Sequence, residues 1–391
     1  MRVRVPLPVV VPGVKPCSNR GWYSRLGRSI GKHSNPSDMT ISQRLRFHAR
    51  STTALTVALL CFALNCKSGA AETRTFRAGA AVSNITPPLG CSINGGFQDG
   101  NPLGGASDQV RTNPGVSNPN LVQPAGPTDP QVWFISVQAT DGRPIALYAN
   151  YSLHYVGGAG AGHISADYYG AFADRIQELL GADRLDPPFV GAMSNGTSGD
   201  INNINFRGGQ PKQPPYGQIR IVANDVAQEV ARVCKTLSYR DWVPLAVAQK
   251  EITLSLRLPP KDEADRARDV MKQSKLFPRM ETMEQVYARE TVLLSEFPVQ
   301  VSAPLQVLKI GDLRVSAIPA EAFVEIGLEL KRRHPESFTV TLANAYHGYL
   351  PTSAQHELGG YETWRARSSC LEVEAAEKIV AGIEALFERL K

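Results

Sequence analysis

Three side chains able to bind a hard or borderline metal ion each follow a strand-like run: His154 in NYSLHYVGG, Glu321 in AIPAEAFVEIGLEL and Tyr346 in ANAYHGYLPT. An imidazole nitrogen, a carboxylate and a phenol oxygen together form a donor set that suits zinc. Each residue also has a plainer reading. His154 could be a metal ligand, a catalytic base, or a hydrogen-bonded histidine at a strand end, and a lone histidine is more often the last. Glu321 suits the start of a helix, where the dipole favours a carboxylate. The Tyr346 segment could be a packed loop. Only their joint placement at strand ends points to one site.

Two further stretches could line such a site. MSNGTSGDINN, residues 193–203, leaves a short buried strand and offers Asn195, Gly199, Asp200 and Asn202. A loop of this kind can turn backbone N–H groups and a carboxylate toward a substrate. Its own Asx turns would explain it equally well. Ser198 lies in GTSGD, which does not match the Gly-x-Ser-x-Gly nucleophile elbow. Beyond residue 342, His347, Tyr349 and Tyr361 form a polar-aromatic patch of the type that lines substrate pockets.

The elements that must position these residues are legible from hydrophobic periodicity. Strands are predicted over 132–139 and 145–153, around the Asp141-Gly142 turn, and over 189–193 and 245–258. Residues 305–310 and 313–318 read as a hairpin about Gly311-Asp312, and 338–342 as a further strand. Helices are predicted over 166–180, 217–237, 321–333 and 371–390, with a charged helical excursion over 260–297. This order implies an α/β (α+β) fold, a mixed sheet core with flanking helices, in a single catalytic-type domain over 72–391. Residues 91–130 lack periodicity and read as one long loop.

Charge separates the ends of the chain. Residues 1–71 hold 11 Lys/Arg and one acid, whereas 72–391 hold 31 Lys/Arg and 35 Asp/Glu. The mildly acidic body gives no reason to expect a nucleic-acid partner. Residues 1–38 read as a disordered upstream extension, with Met39 as a start. Residues 39–71 carry a basic segment, an apolar run over 54–64 and small residues at 68–71, the anatomy of a signal peptide. The expectation is an exported protein, periplasmic or extracellular. The apolar run is short for a membrane span, and Cys66 in FALNC is a weak match to a lipoprotein site. Cleavage would leave Cys91, Cys234 and Cys370, enough for at most one disulfide.

Taken in order, AAVSNITPPLG, ALYANYSLHYVGG…ISADYYG, MSNGTSGDINN, IPAEAFVEIGLELK and LANAYHGYLPT…GGYE resemble the neutral/alkaline non-lysosomal ceramidase family. The resemblance implies a Zn2+-dependent amidase acting on an N-acyl sphingoid or lipid-like amide, and with it peripheral contact with a membrane. It assigns the metal to His154, Glu321 and Tyr346 and places the family's Gly-Asp on Gly199 and Asp200. On the residues themselves, Asn195, Asp200 and Asn202 are expected as catalytic-loop residues and Gly199, His347, Tyr349 and Tyr361 as substrate-binding ones. The sequence departs from the family in three places. The family's second zinc histidine has no counterpart: no histidine occurs between His48 and His154, and the chain passes from CSINGGF to QDGNPLGG as though a block near 97–104 were missing. The serine that follows Gly-Asp by one residue is here Asn202, and the small C-terminal β-sandwich domain is not expected. A non-catalytic, ligand-binding relative in the cell envelope is the alternative reading.

Overall fold

The computed structural model describes residues 77–84, 97–99, 109–111, 113–209 and 211–391, with backbone only for 77–84, 97–99 and 111. The extension at 1–38, the signal segment at 39–71, Cys66 and Cys91 lie outside the described residues.

Two four-stranded mixed sheets form the centre. The first runs β1 (Arg77–Asn84), β5 (Gln131–Gln138), β6 (Pro144–Tyr151), β7 (Val190–Asn195), antiparallel until β7 joins β6 in parallel. Its strands read as near-continuous apolar runs because both faces are covered. Val132, Phe134, Leu147, Ala149 and Tyr151 point to one side. There they meet Phe172 and Ile176 of α1 (Asp167–Leu179) and Ile219, Val226 and Val230 of α2 (Gly217–Cys234).

The second sheet runs β12 (Ser337–Val340), β10 (Leu313–Ala317), β9 (Gln300–Ile310), β8 (Leu245–Ser255), with β12 parallel to β10 and the other pairs antiparallel. Ala303, Leu305 and Val307 face Ile379, Ile383 and Phe387 of α7 (Ala375–Arg389) and Ile326 and Leu330 of α5 (Val324–Arg333). Gly382 lets α7 approach closely, since a Cβ there would come within 2.5 Å of Leu305 Cδ1. Between the sheets, Trp133 packs on Phe338 with ring centroids 5.9 Å apart, alongside Leu313 and Val315. The layers are therefore helix, sheet, sheet, helix, as the α/β expectation required.

Local boundaries differ where tertiary pairing decides them. Residues 91–130 are not one loop: β2 (Phe97–Asp99), β3 (Val110–Arg111) and β4 (Leu121–Pro124) form a small antiparallel sheet. The helix expected from Glu321 begins at Val324, because Glu321–Ala322 is instead a short strand, β11, parallel to β13 (Tyr349–Leu350). A short helix, α6 (Ser353–Leu358), begins behind a Thr352 cap. The last helix starts at Ala375, since Leu371 is taken by a bridge to Leu256. The 260–297 excursion is a pair of helices, α3 (Lys261–Lys272) and α4 (Met283–Leu294). Cys234 and Cys370 are both free thiols, and no helix among the described residues is long and apolar enough to cross a membrane.

Candidate functional site

In open α/β sheets the crevice beyond the carboxyl ends of parallel strands is where ligands sit. Here the two sheets are stitched together at that end. Thr341, just past β12, donates its N–H to Asn195 O at 3.1 Å and its hydroxyl to Gly196 O at 2.8 Å. The chain leaving β6 carries His154, the chain leaving β7 carries the 195–203 loop, and β11 carries Glu321.

His154 is held from both sides. The carbonyl of Leu153 accepts hydrogen bonds from the hydroxyls of Tyr168 (2.9 Å) and Tyr169 (3.2 Å). The His154 N–H donates to Ile201 O at 3.3 Å. Downstream, the Asp167 carboxylate accepts the N–H groups of Val156 and Gly157, each at 2.8 Å. Glu321 is fixed by its N–H to Gly348 O (2.8 Å) and by its pairing with Tyr349. Gly199 presses on the same strand: its N–H donates to Ala322 O at 2.9 Å. A Cβ at Gly199 would lie 2.6 Å from Glu321 O, so a side chain there would displace β11.

These supports bring His154 Nε2 and Glu321 Oε1 to 2.8 Å, with the side chains 24% and 13% exposed. Tyr346 follows a segment in which Leu342 and Asn344 both adopt left-handed backbone (φ 56° and 71°). Non-glycine residues hold that conformation only where neighbours over-determine it, commonly near functional sites. Here Leu342 N–H binds Ala320 O, Ala343 N–H binds Ile318 O and His347 N–H binds Pro319 O. The Tyr346 ring is 60% exposed. Partial burial, with the nearby Glu321 charge, raises its phenol above the ordinary tyrosine value. Around the mouth, Tyr349 and Tyr361 share a 3.2 Å hydroxyl contact, and Tyr155 lies 4.3 Å from the His154 ring.

The donor types fit zinc. Ligand atoms of a tetrahedral zinc stand about 3.3 Å apart, so His154 and Glu321 would need to separate by about half an ångström to share one. No group of three or more His, Cys, Asp or Glu side chains that could hold a metal ion occurs among the described residues.

Other expected residues are placed differently. Asp200 is 4% exposed and accepts the Val324 N–H at 3.0 Å, capping the start of α5. Burial, and then the charge of Glu325, pushes its carboxyl well above the usual range. It positions the Glu321–Val324 segment and does not face solvent. Asn195 accepts the Ser198 hydroxyl at 2.8 Å, an internal brace of the loop. Asn202 donates to Asn113 Oδ1 at 2.6 Å and accepts the Ile204 N–H in an Asx turn. His347 does not join the site: its ring lies against the Ser302 backbone and Glu251 of the second sheet, and burial lowers its pKa. Sequence reasoning singled out neither Tyr169, which anchors Leu153, nor Glu362, 1% exposed beneath Tyr361. The tandem tyrosines of ISADYYG were the available signal for the first, and nothing local marked the second.

No protein-family model matches the sequence, and no curated protein matches it. Solved structures do resemble the fold. One is a neutral ceramidase from Pseudomonas aeruginosa, with a TM-score of 0.52 at 16% identity, covering 80% of this chain and 52% of that one. Another is a ceramidase complexed with C2, with the same TM-score and identity, covering 80% of this chain and 54% of that one. The chain thus spans about half the length of the structures it matches.

Proposed function

We propose that this chain is an exported, zinc-dependent hydrolase of a linear, lipid-like amide, with His154, Glu321 and Tyr346 as the metal donors. The observation that carries the reading is the convergence of His154 Nε2 and Glu321 Oε1 at the junction of both sheets, in a fold similar to that of neutral ceramidase. Bound there, zinc would polarise an amide carbonyl and acidify a water.

The chain's own groups would do the rest. His154 and Glu321 are fixed by backbone hydrogen bonds on separate elements, so their donor atoms stay aimed at one point. The Tyr346 hydroxyl, exposed beside Glu321, can hydrogen-bond a carbonyl oxygen or the departing amine. The exposed rings of Tyr155, Tyr346 and Tyr361 make an open, partly apolar rim suited to an acyl chain. Asp200 holds the loop against β11 and touches no substrate.

Release of fatty acid from an N-acyl amide by the purified chain, requiring zinc and stopped by a chelator, tests this. Absence of release at any zinc level overturns it. The non-catalytic alternative draws on the direct His154–Glu321 hydrogen bond and the missing second histidine. It expects an N-acyl amide to raise the unfolding temperature without being cleaved.

A further inference from the structure

The helical pair α3–α4 ends in a connection with an unusual surface. Residues 273–282 are held firmly. Ser274 donates its hydroxyl to Arg279 O at 2.6 Å, Lys275 N–H binds Glu281 Oε2 at 2.7 Å, and Arg279 N–H binds Leu276 O at 2.9 Å. Thr282 and Gln285 complete a capping box at the start of α4. This ordered turn nonetheless leaves Leu276, Phe277 and Met283 at 54%, 61% and 64% exposed, with Pro278 exposed between them.

Charge around this tip is asymmetric. Glu281 is exposed but its carboxylate is engaged by the Lys275 N–H, and Lys272 pairs with Asp269 on the stem. Lys275 and Arg279 are exposed and make no ion pair among the described residues. Glu284 stays exposed beside Met283, so the cationic edge is the Lys275–Arg279 side. An apolar wedge edged by free cations complements the headgroup boundary of an anionic bilayer. A second protein fits less well, since three side chains on a convex tip fall far short of the roughly 800 Å² per partner that a stable interface needs.

The base of the hairpin adjoins the candidate site. Arg365 pairs with Glu263 of α3, Arg367 pairs with Glu290 of α4, and Tyr287 meets Trp364 edge-on at 5.2 Å between ring centroids. Residues 364–367 follow Tyr361 and Glu362 after one intervening residue, Thr363. The geometry points to the α3–α4 tip as a docking element for an anionic lipid surface, with Leu276 and Phe277 entering the interface and Lys275 and Arg279 meeting headgroups. Its purpose, drawing substrate from a membrane, rests on the amide-hydrolase reading; the binding itself rests on the tip alone.

Co-sedimentation of the full chain with phosphatidylcholine vesicles, with and without phosphatidylglycerol, tests it. Binding should require phosphatidylglycerol and weaken with salt. It should fall about tenfold or more in Leu276→Ala/Phe277→Ala and in Lys275→Glu/Arg279→Glu. Trp242→Ala, at an exposed aromatic away from the tip, should bind as the unaltered chain does. Failure of the unaltered chain to bind, or undiminished binding by both tip variants, overturns the inference. So does a dimer, seen by light scattering, that Phe277→Ala dissociates. If vesicle binding fails while a soluble short-chain amide is still cleaved, the inference falls and the function stands. Binding without any cleavage has the opposite meaning.

Discussion

Asp129→Ala should destabilise the fold by about 3–5 kcal/mol, the usual cost of leaving a buried ionic partner unpaired. Asp129 and Lys331 form an ion pair whose side chains are only 1% and 11% exposed. Burial already pulls the Lys331 ammonium below the ordinary lysine value, against the favourable charge of Asp129. Its remaining partner is the face of Trp133, 5.8 Å away. Asp129 also accepts the Gln131 N–H at 3.1 Å and the Ser152 hydroxyl at 3.4 Å. It therefore ties α5, which follows Glu321, to the strand end that leads into His154. Asp129→Leu/Lys331→Met should recover most of the lost stability, because an apolar pair carries no desolvation cost. Urea unfolding of the single and double variants decides the matter, and equal stability of Asp129→Ala and the unaltered chain would contradict this account.

Stability should also fall as pH rises, because of Glu362. This side chain is 1% exposed, and burial pushes its carboxyl up to about 8. The groups bearing on it are the Tyr361 hydroxyl, which hydrogen-bonds it, and the Glu321 and Asp200 carboxylates, which repel its charge. A carboxyl raised in the folded state keeps its full stabilising contribution below its unfolded value of 4.5 and loses it as pH rises through about 8. The expected loss across that window is on the order of a few kcal/mol. Asp200, raised in the same direction, adds to the slope. Unfolding of the chelator-treated chain across this range should show the decline, and Glu362→Gln should flatten much of it. An unchanged slope in Glu362→Gln would assign the effect elsewhere.

Much of the architecture could be read from the sequence because its signals are local. The apolar runs of β5 and β6 and the 3.6-residue periodicity of α1, α2 and α7 come from side chains that must reach a core. The candidate site was less legible, because long-range pairing decides its details. Glu321 sits in β11 and not in the helix, since its partner Tyr349 lies beyond β12. His347 was expected beside Tyr346 and Tyr349, yet the left-handed turns at Leu342 and Asn344 change which side of the chain each residue presents. The short sheet of β2, β3 and β4 escaped notice because its strands are too brief to show a period. Asp129 and Lys331, 202 residues apart, carry no shared pattern that could reveal their pairing.

The proposed function depends on His154, Glu321 and Tyr346 holding a metal ion. Calorimetric titration of zinc into the metal-free chain should show a single site per chain, abolished by His154→Ala and by Glu321→Ala and weakened by Tyr346→Phe, in variants that still unfold cooperatively. Absence of zinc binding by the unaltered chain, or equal binding by His154→Ala, would contradict it.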